Sequence, residues 1–336
     1  MLKLNRNAKI TILGDGGWGT ALAVLLAKKG LRVCLWGAFK ENIQAISRHK
    51  TNKKFLPGVK VPASVDLAWD LALAIKEAEL IVLAIPSQFL RQVLKRIKGL
   101  DFSKVYFLSV VKGIENQTLR RVSQVIKEEL GDDIELAVLS GPTIALEAAK
   151  GIPTTAVASS ENMLLAKAIQ HIFTTNRFRI YVNPDMAGVE LGGSLKNVIA
   201  IACGISDGLG FGTNTKAALL SRGLAEISRL GIAMGARKET FGGLSGLGDL
   251  VTTCISRDSR NRLVGERIGQ GKRLKEILAN MNNVAEGVGT AKSAYLLGRK
   301  HNLPMPISAE VYKVLYKNKD PLKAVNDLMS REVKEE

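Results

Sequence analysis

Lys196 lies inside a run of small and apolar residues that has helical spacing over residues 186–206. An ammonium group in such surroundings is unusual, because lysine is almost never fully buried without a partner. Burial or a neighbouring cation lowers the pKa of a lysine, which can then exchange a proton near neutral pH. A side chain that packs its stem on the apolar face and extends its charge into solvent is the alternative. Lys196 is therefore a candidate acid–base group.

Two further clusters offer partners for this lysine. Lys112 follows the apolar run 105–110 in V-V-K-G, at the expected end of a strand, where ligands of open α/β sheets bind. Asp249 and Thr253 are four residues apart in G-L-G-D-L-V-T-T, so they share a face if this stretch is helical. A simple helix N-cap is the competing interpretation of Asp249.

A fourth polar cluster predicts an anion site. Ser259, Arg260 and Asn261 lie at the start of a helical pattern that continues to residue 268. The N–H groups of a helix N-terminus together with an arginine guanidinium form a good phosphate receptor. A capped and solvated helix end is the competing interpretation.

The most general chemical signal is the glycine pattern at Gly14, Gly16 and Gly19, which reads G-x-G-x-x-G. It follows a predicted strand over residues 10–13 and opens a predicted helix over residues 20–29, which is the context in which such a turn binds a dinucleotide. The first glycine permits a tight turn, the second lets the backbone approach a pyrophosphate, and the third lets helix and strand pack closely. An ordinary glycine-rich turn is the alternative. Hydride transfer to or from a nicotinamide requires an acid–base group for the substrate oxygen, which gives the lysines a role.

The end of the second predicted strand, residues 32–36, bears on the choice of cofactor. It continues as Gly37-Ala38-Phe39-Lys40, without the acidic residue that takes the 2′-hydroxyl of NAD in many such folds. Lys40 is the nearest base for a 2′-phosphate. The sequence therefore predicts NADPH or NADH, with a lean towards NADPH.

The elements that position these clusters alternate between strand and helix in the first half of the chain. Residues 80–85 read L-I-V-L-A-I, a continuous apolar run typical of a strand buried on both faces. Residues 105–110 and 136–139 repeat this pattern, with a helical stretch over 118–130 between them, and residues 154–158 and 179–182 extend the predicted sheet. This order predicts an α/β fold with an N-terminal Rossmann-type, doubly wound, mostly parallel sheet.

Beyond residue 183 the sequence becomes helical and clear strands end. The predicted all-α C-terminal part contains helical patterns over residues 186–206, 216–234, 260–268, 273–281, 290–300 and 308–316. We therefore predict a dinucleotide-binding domain over residues 1–186 and a helical substrate-binding domain over residues 187–336.

Composition limits the classes of partner. The net charge is +17 over 336 residues, but acidic residues interrupt the scattered lysines and arginines, and no zinc-finger or RNP-type motif is present. We therefore expect no nucleic-acid partner, and instead a lysine-rich surface that attracts small anionic substrates.

The cysteines and histidines are dispersed, and no apolar run predicts a membrane segment. Cys34, Cys203 and Cys254 form no C-x-x-C pair. The three histidines, which include His49 and His171, are far apart in the sequence. No disulfide or metal site is therefore predicted. This pattern fits a reducing cytoplasm. The basic start of the chain is a poor signal peptide, because Asp15 and glycines interrupt its apolar run.

Taken together, these clusters resemble the bacterial NAD(P)-dependent sn-glycerol-3-phosphate dehydrogenases. The resemblance implies reduction of dihydroxyacetone phosphate to sn-glycerol 3-phosphate, a precursor of membrane phospholipids, by a homodimer. The K-N and S-R-N combinations are the most specific of the matching segments. These segments are residues 14–22 (G-D-G-G-W-G-T-A-L), 111–113 (V-K-G), 140–143 (S-G-P-T), 192–202 (G-G-S-L-K-N-V-I-A-I-A), 221–230 (S-R-G-L-A-E-I-S-R-L), 244–253 (L-S-G-L-G-D-L-V-T-T), 259–262 (S-R-N-R) and 284–287 (V-A-E-G).

The resemblance also implies roles for individual residues. Lys196 is the expected proton donor and acceptor, Lys112 lies at the substrate carbonyl, and Asp249 orients the catalytic lysine. The implied substrate-binding residues are Lys112, Gly141, Thr143, Lys196, Asn197, Asp249, Thr253, Ser259, Arg260 and Asn261. The implied cofactor-binding residues are Gly14, Gly16, Gly17, Trp18, Gly19, Ala38, Lys112, Ala145, Arg260, Val284 and Glu286.

The sequence departs from the family pattern at two positions, and other functions compete. Gly17 stands where the family often has serine, and Ala38 stands where a basic residue or histidine is frequent. A dehydrogenase of 3-hydroxyacids with the same two-domain plan is the main alternative, and the cluster at Ser259 favours a phosphate substrate over it. A non-catalytic dinucleotide sensor would not need Lys112, Lys196 and Asp249 together.

Overall fold

The computed structural model describes residues 8–332 of the chain. The strands are β1 (Lys9–Leu13), β2 (Arg32–Trp36), β3 (Thr51–Asn52), β4 (Leu56–Lys60), β5 (Val65–Ala68), β6 (Leu80–Leu83), β7 (Tyr106–Ser109), β8 (Glu135–Ser140), β9 (Thr154–Ser160) and β10 (Phe178–Asn183). The helices between and beside them are α1 (Gly17–Lys28), α2 (Lys40–His49), α3 (Leu71–Ile75), α4 (Ser87–Lys95), α5 (Val122–Leu130), α6 (Ala145–Lys150) and α7 (Met163–Phe173).

The rest of the chain is helical. Its helices are α8 (Met186–Gly208), α9 (Thr213–Ala233), α10 (Lys238–Phe241), α11 (Asp249–Ile255), α12 (Arg260–Gly269), α13 (Leu274–Ala279), α14 (Glu286–Lys300), α15 (Pro306–Lys317) and α16 (Pro321–Met329). A π-helical turn, Leu244–Gly248, leads directly into α11. The boundary between the two predicted domains, at residues 186 and 187, stays a prediction.

An eight-stranded sheet forms the N-terminal part, in the order β10-β9-β8-β7-β6-β1-β2-β5. Neighbouring strands are parallel except β8 and β9, which are antiparallel. β6 is buried on both faces, as its continuous apolar sequence predicts. The chain order reverses between β1 and β6, so the carboxyl ends of these strands border the crevice in which dinucleotides bind. These features confirm the predicted fold class.

The structure differs from the predicted elements in a few places. β3 and β4 form a separate two-stranded antiparallel sheet, and β5 is added at the edge beside β2. The predicted helix over residues 118–130 begins at Val122, because Leu119 has a positive φ of 60° and Ile114 pairs with Arg121 in an isolated bridge. That backbone conformation is incompatible with a continuing helix.

α8 is the central helix of the C-terminal part. By length and composition α8 could cross a membrane, but its most apolar window is 100% buried inside the protein. α9, α11, α12 and α14 pack around it. Its apolar character is therefore that of a core helix, and its polar residues face other protein groups.

α8 and α12 approach each other through glycines. A Cβ on Gly204 of α8 would lie 2.0 Å from the carbonyl oxygen of Arg262, and a Cβ on Gly265 of α12 would lie 2.0 Å from that of Ile201. Each helix backbone therefore fills the space that a side chain of the other would need. This contact fixes the middle of α12 relative to the C-terminal part of α8.

Candidate active site

Two lysines converge on one buried carboxylate. Lys196 Nζ donates hydrogen bonds to Asp249 Oδ1 at 2.5 Å and to Thr253 Oγ1 at 2.6 Å. Lys112 Nζ donates to the other carboxylate oxygen, Asp249 Oδ2, at 2.8 Å. The side chain of Asp249 is 1% exposed and that of Lys196 is 6% exposed. Lys196 therefore does not extend into solvent, and the alternative of a surface lysine is excluded.

Three elements bring these groups together. Lys112 follows β7 at its carboxyl end, and Lys196 lies in the middle of α8. Asp249 and Thr253 are the first and fifth residues of α11, so one helical turn places both on the face towards Lys196. The side chain of Asp249 caps no backbone N–H and is instead bound by the two lysines.

The surroundings of Lys196 suit it to proton transfer. Burial lowers its pKa from 10.5 to about 7, the Asp249 carboxylate opposes this shift, and the nearby charge of Lys112 adds to it. Burial is the larger cause, since it disfavours the charged form of an amine. An amine with a pKa near the operating pH is an effective general acid and general base.

Lys112 also contacts the turn after β8. Its Nζ donates to the carbonyl oxygen of Gly141 at 2.8 Å and lies 3.1 Å from Thr143 Oγ1. Gly141 and Thr143, both implied by the resemblance, therefore lie beside the lysine pair. The Lys112 side chain is 17% exposed, so it borders the open crevice, whereas Lys196 lies deeper.

Asn197 and Asn261 link three elements next to the lysines. Asn261 Nδ2 donates to Asn197 Oδ1 at 2.8 Å, and its Oδ1 accepts from the backbone N–H of Gly287 at 2.9 Å. Asn197 Nδ2 lies 3.3 Å from the carbonyl oxygen of Lys112. The two amides thereby hold the starts of α12 and α14 against α8. Their substrate contacts stay predictions.

The start of α12 presents an unpaired cation. Ser259 is the N-cap residue, and its Oγ accepts from the N–H of Arg262 at 3.2 Å. Arg260 is exposed and makes no hydrogen bond or ion pair with any residue in the range 8–332, although its charge acts on the nearby Glu286 carboxylate. A helix N-terminus with a free guanidinium is suited to an anion. A phosphate contact by Ser259 and Arg260 stays a prediction.

Glu286 connects the helical part to the sheet. As the first residue of α14, it accepts hydrogen bonds from the backbone N–H of Ser87 at 2.8 Å and from Ser87 Oγ at 2.6 Å. Burial raises the pKa of Glu286, and the two bonds from Ser87 and the nearby charge of Arg260 oppose this shift. Sequence reasoning missed Ser87, although its place just after β6 was a usable signal, because ligands bind where such strands end.

The glycine turn has the shape that a pyrophosphate requires. A Cβ on Gly14 would lie 2.5 Å from the carbonyl oxygen of Ala84, and one on Gly19 would lie 1.9 Å from that of Gly14. A Cβ on Gly16 would meet no atom within 4 Å, so open space remains above this residue. Since α1 begins beside that space, its N–H groups are available to phosphates. These residues fit a nicotinamide dinucleotide.

The structure explains one departure from the family pattern. A Cβ on Gly17 would lie 2.8 Å from the carbonyl oxygen of Phe55, in the turn between β3 and β4. A serine at position 17 would therefore require this turn to move. The glycine follows from the close approach of the hairpin.

The other implied cofactor residues occupy different places around the crevice. Trp18 packs its ring edge-on against Phe178, with centroids 6.2 Å apart. Ala38 is exposed just beyond β2, Ala145 begins α6, and Val284 is 43% exposed before α14. Their contacts with a nucleotide stay predictions.

The carboxylate of Asp15 lies at the end of β2, where the local sequence contains no acidic residue. The segment after β2 contains no acid before Glu41, but the Asp15 carboxylate lies against it: a Cβ on Gly37 would be 2.5 Å from Asp15 Oδ2. Sequence reasoning treated Asp15 as the variable residue of the glycine turn. Its proximity to the end of β2 depends on tertiary structure.

Sequence profiles of one enzyme family match both parts of the chain. A sequence profile described as the N-terminus of NAD-dependent glycerol-3-phosphate dehydrogenase matches residues 9–166, and one described as its C-terminus matches residues 185–326. The chain belongs to this family. The resemblance to this family that the sequence predicted is thereby confirmed.

Relatives within the glycerol-3-phosphate dehydrogenase family match along nearly the whole chain. A glycerol-3-phosphate dehydrogenase (NAD(P)+) of Geobacillus kaustophilus is 49% identical, with 97% of this chain and 96% of the relative covered. One of Chlorobium phaeobacteroides is 48% identical, with 98% and 99% covered. The crystal structure of glycerol-3-phosphate dehydrogenase from Coxiella burnetii superposes with a TM-score of 0.94 at 38% identity, covering 97% of this chain and 100% of that one.

Proposed function

We propose that this protein catalyses the reversible, NAD(P)H-dependent reduction of dihydroxyacetone phosphate to sn-glycerol 3-phosphate, a precursor of glycerophospholipids. The observation that carries the proposal is the pair Lys196 and Asp249 beside Lys112: a buried lysine with a pKa of about 7, in contact with a carboxylate. Family membership and the glycine turn support the cofactor, and the relatives' printed name, glycerol-3-phosphate dehydrogenase (NAD(P)+), supports the substrate.

The residues divide the work of the reaction. When bound, the reduced nicotinamide supplies a hydride to the carbonyl carbon. Lys196, as the ammonium, donates a proton to the carbonyl oxygen, and as the neutral amine it removes that proton in the reverse direction. Lys112 places a positive charge beside the same oxygen, where negative charge develops. Asp249 holds both amines in place through its two oxygens.

The phosphate end of the substrate is assigned to the start of α12. Arg260 has no ion pair in the described part of the chain, and the first N–H groups of α12 lie beside it. A guanidinium and a helix N-terminus together favour a phosphate dianion. The competing substrate class, a 3-hydroxyacid, presents a single carboxylate charge and would make less use of this combination.

The cellular location is inferred from the cysteines, and the oligomeric state is inferred from the family. We place the activity in the cytoplasm because Cys34, Cys203 and Cys254 are free thiols, which suits a reducing compartment. A homodimer is inferred from the family resemblance. Size-exclusion chromatography with light scattering tests it, and a monomer at assay concentration would contradict it.

A direct assay tests the catalytic proposal. Purified protein is mixed with NADPH or NADH, and loss of the reduced cofactor's absorbance is followed with and without dihydroxyacetone phosphate. We expect oxidation that depends on dihydroxyacetone phosphate, and little with a 3-oxo acid in its place. If neither cofactor is oxidised in the presence of dihydroxyacetone phosphate, the proposal is wrong. Faster oxidation with the 3-oxo acid would favour the alternative substrate class.

A further inference from the structure

The end of β2 acquires an acidic group from another part of the chain. β2 ends at Trp36 and is followed by Gly37, which has no side chain to fill the adjacent space. Asp15 Oδ2 lies 2.5 Å from the position that a Cβ on Gly37 would occupy, and Asp15 Cγ is equally near. The carboxylate therefore stands at the end of β2, although Asp15 belongs to the turn after β1.

One side-chain hydrogen bond holds this carboxylate, and two others hold the backbone of the same residue. Asn42, in the first turn of α2, donates from Nδ2 to Asp15 Oδ2 at 2.6 Å. The backbone oxygen of Asp15 accepts from Asn52 Nδ2 at 2.7 Å and from Thr20 Oγ1 at 3.2 Å. Within residues 8–332, the Asp15 carboxylate accepts hydrogen bonds only from Asn42 and from its own backbone N–H. A positioned carboxylate thus retains an oxygen that can accept a ligand's hydroxyl.

This position has a known chemical meaning in dinucleotide folds. An acid at the end of the second strand accepts a hydrogen bond from the adenosine 2′-hydroxyl of NAD. The same carboxylate would face the 2′-phosphate of NADP, and two anions held together without a cation between them repel. A single acidic group can therefore favour one cofactor and disfavour the other.

Two lysines near this place are the competing feature. Lys54 is close enough to Asp15 to lower its pKa, against the larger effect of burial, which raises it. Lys54 Nζ also lies 4.9 Å from the ring centre of Phe55, and Lys40 Nζ lies 5.1 Å from that of Trp69. Both lysines are exposed and make no hydrogen bond or ion pair within residues 8–332, whereas the Asp15 carboxylate is held by Asn42. A fixed group discriminates better than a mobile one, because less freedom is lost on binding.

We propose that Asp15 accepts the adenosine 2′-hydroxyl and makes NADH the preferred cofactor of this chain. The proposal rests on the dehydrogenase function proposed above and refines it. It replaces the lean towards NADPH, which depended on the segment 37–40 alone. Gly37 is required for this arrangement, since any side chain at position 37 would displace the Asp15 carboxylate.

Binding without substrate tests the proposal independently of catalysis. Isothermal titration calorimetry on the full chain gives the Kd of NADH and of NADPH for the wild type, Asp15→Asn and Asp15→Ala. Glu41→Gln is the matched control, because Glu41 is an exposed acid in the first turn of the neighbouring helix α2. Circular dichroism and the thermal midpoint establish that each variant is folded.

We expect the wild type to bind NADH about 10- to 100-fold more tightly than NADPH, as for a ligand that avoids a like charge. Asp15→Asn and Asp15→Ala should each reduce this ratio at least about tenfold, mainly by improving NADPH binding, while Glu41→Gln keeps the wild-type ratio. A wild type that prefers NADPH, or an unchanged ratio in both folded Asp15 variants, would overturn the proposal. If Lys54→Gln alone abolished NADPH binding in a wild type that prefers NADPH, Lys54 would be the determinant instead.

The cofactor and function proposals fail separately. Tight binding of NADH with no oxidation in the presence of dihydroxyacetone phosphate would contradict the substrate assignment and leave the role of Asp15 supported. Oxidation of both cofactors at equal rates and with equal Kd values would support the function and contradict the role of Asp15.

Discussion

Lys196 and Asp249 form an ion pair that is almost completely shielded from water, with Nζ and Oδ1 2.5 Å apart and both side chains at most 6% exposed. Such a pair contributes little net stability, because the loss of hydration offsets the attraction. Removing either partner alone is costly, since the remaining charge stays buried. The arrangement is therefore better explained by the proposed chemistry than by folding, since it holds the proposed proton donor in one orientation.

The first prediction concerns the proton donor. Lys196→Met should lower kcat for dihydroxyacetone phosphate reduction by at least ~100-fold, the usual scale for a lost general acid. Cofactor affinity should change little, because Lys196 belongs to α8 and not to the glycine turn between β1 and α1. Lys292→Met is the control, since Lys292 is an exposed lysine of α14. Near-normal turnover in a folded Lys196→Met protein would contradict the assignment.

The second prediction concerns pH. Because Lys196 must be protonated to donate, kcat/KM for reduction should fall as the pH rises through about 7, and the reverse oxidation should rise over the same range. Lys112 contributes to the lowered pKa, so Lys112→Met should move the falling limb of the reduction profile to higher pH. The position of the limb is measured, and the absolute rate is not used. A limb that stays in place or moves to lower pH would show that Lys112 does not act on Lys196 in this way.

The third prediction concerns the phosphate. Arg260→Ala should raise KM for dihydroxyacetone phosphate about 10- to 100-fold, the equivalent of one charge-assisted hydrogen bond. Arg260→Lys should recover part of the loss, because the charge remains while the fork geometry does not. Arg257→Ala serves as the control, as Arg257 is exposed just before the same helix. An unchanged KM in Arg260→Ala would remove the arginine from the substrate site.

The fourth prediction concerns the contact of α8 with α12. Gly265→Ala would place a Cβ 2.0 Å from a carbonyl oxygen of α8, so the helices must separate. We expect the free energy of unfolding in urea to fall by about 1–3 kcal/mol, as for other overpacked sites. Gly248→Ala is matched to it, because Gly248 also has helical φ and ψ and a Cβ there would meet no atom nearer than 3.6 Å. Equal stability of the two variants would show that the glycine contact is not needed.

Much of this architecture could be predicted from local sequence. The strand β6 is a continuous apolar run, and β1, β2 and β7 are mostly apolar, as burial on both faces of a parallel sheet requires. The Asp249–Thr253 face was also predictable, since four-residue spacing becomes adjacency once α11 is helical. Local pattern therefore predicted the strands of the core and the face that Asp249 and Thr253 share.

Other features depend on contacts distant in sequence. The reversed direction of β9 relative to β8 follows from how the chain crosses over, which β-type composition does not report. The contact of Asp15 with the end of β2, and that of Ser87 with Glu286, join segments 22 or more residues apart that meet only in the folded chain. By contrast, α16 had a readable signal, because Asp320 caps it before Pro321.

The glycine contacts between α8 and α12 fix the distance between the two ends of the proposed site. This fixed distance should select substrates by their length. Lys196 is carried by one helix and Arg260 by the other, and their backbones are in contact at Gly204 and Gly265, so neither helix can slide to suit a different ligand. If these residues bind the substrate as proposed, a phosphorylated ketone reaches both only when its carbonyl and phosphate are separated by the right number of bonds. We therefore expect homologues lengthened by one carbon between these groups to be rejected by reach, although their charge and functional groups are the same.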